Sequence, residues 1–177
     1  MTTAVDLLPA GQAFDAVPDG FDARFGQWLS VAAQRRAVRD ALAAAFPEGC
    51  RLLEIGGGTG LDGAWLTARN RSVHLTDASP AMVRVASRKL GRSATEVLAA
   101  ERLDRLAERG ERFDGAFSNF AALNCVADLD PVARRLGEVV RPGGRVLLVL
   151  FGTFCPGEMI VVACRGRFRN MLRRSKR

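Results

Sequence analysis

Tyrosine is absent from the 177-residue chain, histidine occurs once, at His74, and only two of the 26 basic residues are lysines, Lys89 and Lys176. The side chains most often recruited as general acids and bases are almost missing, so composition names no catalytic residue. The four cysteines, Cys50, Cys125, Cys155 and Cys164, stand far apart and form no C-x-x-C pair. With a single histidine, no zinc-type ligand set can be assembled, and a reducing cytoplasm is the expected compartment. Long apolar runs are lacking too: the longest, from Val146 toward Cys164, is broken by Gly152, Pro156, Gly157 and Glu158, which argues against a membrane span. The first residues, MTTAVDLLPAGQ, have no basic stretch leading into an apolar core and do not read as a secretory signal. Over most of its length the chain also lacks a charge bias. The net charge is +7, but residues 165–177, RGRFRNMLRRSKR, hold seven basic residues and no acid, which accounts for the whole excess. This stretch reads as a solvated basic tail, and without the interleaved aromatics of a base-stacking surface no nucleic-acid partner is expected.

What is present is enough for one globular domain: 48% of residues are hydrophobic and 25% charged. Short β-rich runs alternate with helical periodicity, the pattern of an α/β fold. Strands are expected at 51–55, 72–77, 95–99, 113–118 and 145–151, the last apolar enough to be covered on both faces. Helices are expected between them, at 61–70, 80–90, 101–112 and 131–140. Ser79 and Pro80 supply the cap and first turn of the second of these. Before the first strand, Phe25, Trp28, Leu29, Ala32, Val38, Leu42 and Phe46 mark one or two amphipathic helices that should pack on a sheet face. His74, between Val73 and Leu75, reads as a partnered residue of its strand rather than a base, and the cysteines read as small hydrophobes.

The densest signal is Glu54-Ile55-Gly56-Gly57-Gly58-Thr59-Gly60, lying between a strand and a helix, with Asp77 closing the next strand. Glycines let the backbone turn tightly and let a ligand approach the main chain, and helix-start amides can bind its polar end. An acid at the end of the second strand can accept both hydroxyls of a ribose. Three cofactor classes use this device. A dinucleotide fingerprint needs a third glycine where Leu61 stands, and a Walker loop needs a lysine, yet none occurs before Lys89. The remaining pattern, acid-x-Gly-x-Gly-x-Gly at Glu54, Gly56, Gly58 and Gly60, resembles motif I of the class I S-adenosylmethionine-dependent methyltransferases. TDASPAM, FDGAFSNFAALNCV and RPGGRVLLVLF follow in the order of that family's later motifs, and AFDAVPDGFDARFG resembles the N-terminal lid of its small-molecule members of the type 11 and type 25 kind.

The resemblance implies a Rossmann-like methyltransferase fold: an open, mostly parallel sheet in the order 3-2-1-4-5 with helices on both faces. It implies S-adenosyl-L-methionine as cofactor, held by Glu54, Gly56, Gly57, Gly58, Gly60, Asp77, Ala78, Met82, Glu101, Ser118 and Asn119. Phe21, Phe120 and Glu158 would face a small-molecule acceptor. One departure is Ala100, where an acid often takes the adenine amino group, which leaves adenine to backbone amides or Glu101. The family's terminal hairpin has no room in the residues after Phe151, so the chain reads as C-terminally short, with an apolar strand-five edge open to self-association or a protein partner. The expected organisation is a helical lid over residues 1–50, a cofactor-binding core over 51–164 and the basic tail over 165–177. The expected function is methyl transfer by in-line displacement; the alternative is a catalytically silent methyltransferase-fold subunit that supports a partner chain.

Overall fold

The computed structural model describes residues 28–152 together with Gly11, Asp15, Gly20 and Asp22. Five strands, β1 (Arg51–Ile55), β2 (Ser72–Asp77), β3 (Thr95–Val97), β4 (Phe113–Ser118) and β5 (Val140–Leu148), form one sheet in the order β3-β2-β1-β4-β5. Every pairing is parallel. The helices are α1 (Leu29–Ala45), α2 (Leu61–Thr67), α3 (Pro80–Leu90), α4 (Asp104–Glu108) and α5 (Asp130–Val139). The expected order and class are those observed.

Side chains alternate across a strand, so neighbours in β1 serve opposite faces. Leu52 packs with Leu42 and Phe46 of the α1 end, Leu66 of α2, and Phe117. Leu53 and Ile55 pack instead with Leu106 of α4 and with Val132, Leu136 and Val139 of α5. Complete burial of each such leucine contributes about 1.5–3 kcal/mol. β1 is held in the middle by register on both sides, Leu53 against His74 of β2 and Ala116 of β4. α3 starts where Ser79 accepts a hydrogen bond from the Met82 amide at 3.1 Å, with Pro80 in the first turn and Arg88 and Lys89 in the last, where cations suit the helix dipole.

Four differences from expectation stand out. α1 buries only its C-terminal part: Leu42 and Phe46 are enclosed, whereas Leu29 is 88% exposed. β3 is an edge strand and stops at Val97. β5 begins earlier than expected, because Val140 already pairs with Phe113; residues 141–144 then bulge out before Arg145 pairs with Gly115. The apolar residues of β5 are not covered on both faces among the described residues: Val146 and Leu148, two apart and so on one face, are 45% and 39% exposed. His74 is partnered as expected, its Nε2 lying 3.3 Å from Glu96.

Candidate functional site

The strand order places a switch point between β1 and β4, from which the chain leaves in opposite directions, and ligands of open α/β sheets bind beyond the strand ends there. A cleft lies at that place. The Gly56–Gly60 turn after β1, Asp77 at the end of β2 and Asn119 just after β4 all meet around it.

The glycine turn has distinct parts. Gly56 has φ +64°, and a Cβ there would overlap the Ala122 methyl of the loop after β4. Gly58 has φ +54° with no atom within 4 Å of where a Cβ would stand, so its backbone is open to a ligand. Gly60 opens α2, and a Cβ there would come 3.0 Å from the Ala86 methyl of α3. Asp77 closes the turn from the neighbouring strand: one oxygen accepts from the Gly58 amide and the other from the Ser79 amide, both at 2.8 Å. Each oxygen keeps a second acceptor site. The two carboxylate oxygens match in number the pair of hydroxyls of a ribose.

Of the residues read from the sequence, Glu54, Gly56, Gly57, Gly58 and Asp77 line this cleft, and so do Ala78, Met82, Glu101, Asn119 and Phe120. Gly60 and Ser118 are not among its lining residues: Gly60 serves the packing of α2 on α3, and Ser118 is buried in β4. Phe21 and Glu158 lie outside the described residues, as does the basic tail. Two charged lining residues were missed by sequence reasoning, Arg35 of α1 and Asp62 of α2. Asp62 is 4% exposed and accepts from Arg35 Nη1 and Arg39 Nε, each at 2.9 Å, and from Asn119 Nδ2 at 2.7 Å. The four-residue spacing of Arg35 and Arg39 was the available signal, since it puts both on one side of a helix.

Residues 53–146 match the family model described as a methyltransferase domain. The chain belongs to the S-adenosylmethionine-dependent methyltransferase family, class I. It is 36% identical over 107 residues to a ubiquinone biosynthesis O-methyltransferase of Chelativorans sp. (strain BNC1), covering 60% of this chain and 42% of that protein. It is 33% identical over 145 residues to a demethylmenaquinone methyltransferase of Clavibacter sepedonicus, covering 79% and 57%. The chain thus spans about half the length of the curated relatives it matches. Among solved structures, the DhpI–SAH complex superposes with a TM-score of 0.61 at 24% identity, covering 81% of this chain and 69% of that one. A TehB-like methyltransferase from Corynebacterium glutamicum gives 0.60 at 23%, covering 85% and 82%. These likenesses show the shared fold. The family's cofactor is S-adenosylmethionine, and the open backbone at Gly58 beside the Asp77 carboxylate suits it.

The acid of the methyltransferase motif, Glu54, is enclosed beneath the turn, and its Oε2 has no hydrogen-bond partner. Burial pushes its carboxyl well above the usual range; repulsion from Asp62 adds to this, Arg35 offsets part, and Asp77 adds again. Asp77 is also raised, first by burial, with the Ser79 and Gly58 amides pulling it back. A carboxyl raised in the folded state stabilises the fold below the ordinary carboxylate range, and that contribution is lost as pH rises through its own value. Glu54→Gln keeps the shape and removes the titration. Its melting temperature relative to the parent chain is therefore expected to climb steadily with pH from the acid range upward, as read by thermal denaturation across a pH series.

Asp22 is tied to the methyltransferase turn, and Asp15 to the start of α3, by a second set of polar contacts. Lys89 Nζ donates to the Thr59 carbonyl at 2.7 Å and to Asp22 Oδ2 at 2.8 Å, and the Thr59 hydroxyl donates to Asp22 Oδ1 at 2.5 Å. Asp15 Oδ1 accepts from the Ser79 hydroxyl at 2.6 Å. Lys89→Met is expected to remove about 1 kcal/mol, because these contacts are partly exposed. Its melting temperature should fall by about 2–4 °C at low salt, and by less in high salt.

Proposed function

We propose that the chain transfers a methyl group from S-adenosylmethionine to a small aromatic acceptor bound in the cleft. The single observation that carries this reading is the Asp77 carboxylate tied to the Gly58 amide beside an exposed glycine backbone at the sheet's switch point. Asp77 would take the ribose hydroxyls, and the open backbone of Gly58 would let the methionine part approach the turn. Arg35 is the guanidinium at the cleft wall, and it suits the cofactor's carboxylate. Ala78, Met82 and Leu98 form an apolar wall for adenine, with Glu101 at its edge. When bound, the cofactor supplies an electrophilic methyl on a sulfonium sulfur.

Among the described residues that line the cleft there is no histidine, lysine or tyrosine. The protein's contribution is then to exclude water and align the acceptor, which is worth about 7–11 kcal/mol in well-oriented systems. Phe120, after β4, would face the acceptor, while Asn119 before it is engaged with Asp62 and the Phe120 amide. The two curated relatives are named for ubiquinone biosynthesis and for demethylmenaquinone. Those names, with the Phe120 ring at the cleft, support a planar hydroxylated aromatic ring as acceptor. The spacing of the four cysteines supports the cytoplasm as the setting. Among the described residues no helix is long and apolar enough to cross a membrane.

The test is calorimetric titration of the purified chain with S-adenosylmethionine and S-adenosylhomocysteine, followed by labelled methyl transfer to catechols and quinols. Micromolar binding and a methylated ring support the reading. A folded chain that binds neither ligand, or binds NAD instead, overturns it. The exposed Val146 and Leu148 of β5 favour a second reading, a silent subunit docked to a partner chain through this edge. Methyl transfer that appears only when a second chain is added would select it.

A further inference from the structure

Asp62 stands at the meeting point of three elements that are distant in sequence. It lies in the first turn of α2, where the helix dipole favours a carboxylate. It receives Arg35 and Arg39 from α1 and Asn119 from the loop after β4, and Arg39 also donates to the Leu61 carbonyl at 3.0 Å. Asn119 gives its amide N–H to Asp62, which leaves its carbonyl oxygen to accept the Phe120 N–H at 2.7 Å. Phe120 is held there at φ +51° and Ala121 at φ +58°, two successive residues in the left-handed region that non-glycine residues avoid. The Arg35 guanidinium lies over the Phe120 ring, 4.4 Å from its centre. Both the backbone and the ring of Phe120 are therefore fixed by groups that Asp62 holds. The next residue, Ala122, is the one that meets Gly56.

We infer that Asp62 is a positioning residue: by clamping Arg35 and the Asn119–Phe120 turn together, it sets the cofactor side and the acceptor side of the cleft in one geometry. This rests on the methyltransferase reading above for the identity of the two sides, but not for the clamp itself. Asp62 accepts from three donors, and its positioning role runs through them.

Asp62→Asn keeps the shape but sets an amide N–H₂ against donors. Amide hydrogen exchange of the ligand-free variant should be faster by about tenfold or more at Phe120 and Ala121, as expected for loss of a charge-assisted hydrogen bond, with β1 and β2 unchanged. Its affinity for S-adenosylhomocysteine, by calorimetry, should fall by about tenfold through the freed Arg35. In an Asn119→Ala background the same substitution should add less to exchange at Phe120 than it does in the parent chain, because the route through Asn119 is already cut and only that through Arg35 remains. Exchange that rises evenly over the whole chain, or local exchange left unchanged, overturns the inference. If Asp62→Asn does not fold, Asn119→Ala alone, which keeps both ion pairs, must still loosen Phe120, and an unaltered Phe120 amide refutes the clamp. A parent chain that fails to bind S-adenosylhomocysteine counts against the proposed function instead, while the ligand-free exchange still decides on Asp62.

Discussion

Asp77→Ala is expected to weaken S-adenosylmethionine binding by at least about 100-fold, since two charge-assisted hydrogen bonds at about 1.5–3 kcal/mol each are lost. The carboxylate stands at the end of β2 and spans the glycine turn, so the substitution also strips an acceptor from the Gly58 and Ser79 amides. Stability should therefore fall as well, because Ser79 is buried and its amide loses its carboxylate partner. The pH dependence has a definite sign. Burial raises the Asp77 carboxyl, and the protonated form has lost one acceptor, so affinity in the parent chain should drop as pH falls through the Asp77 value. Asp77→Asn should show weak binding without that pH profile. Calorimetric titration across a pH series checks both, and an alanine variant that binds as tightly as the parent would remove Asp77 from the site.

Gly56→Val is expected to be the most damaging single substitution in the turn. Its φ of +64° costs a residue with a Cβ about 1–2 kcal/mol, and overlap with the Ala122 methyl adds an overpacking penalty of about 1–3 kcal/mol. Together these predict a melting temperature lower by about 5–20 °C for a domain of this size. Gly110→Ala is the control: its φ is +72°, but no atom lies within 4 Å of the added Cβ, so it should carry only the conformational penalty. Equal losses in the two variants would show that contact with the loop after β4 contributes nothing.

The interior strands were legible because parallel strands buried on both faces are short continuous apolar runs with abrupt polar ends. β1, β2 and β4 occupy the residues read from the sequence. The edges of the sheet were less legible. β3 lacks partners on one side and ends early, and the start of β5 hid in Val140 because a helix end and a strand start can share one valine. In the cleft, the turn and Asp77 could be read since their roles depend on residues close in sequence. Arg35 and Asp62 could not. An arginine on an amphipathic helix ordinarily reads as solvated, and the pair is separated by 27 positions, with nothing in local pattern to join them.

The sequence by itself determined the α/β class, the strand order implied by the motif resemblance, and the glycine turn with its acid, all of which rest on local backbone requirements and apolar patterning. Tertiary structure alone decided which charges are buried. Asp62 is enclosed because α1, α2 and the loop after β4 converge on it, and Phe120 and Ala121 hold a left-handed backbone because Asn119 is anchored there. Burial and pairing of a charge depend on what surrounds it from every side, and that environment exists only once the chain has folded.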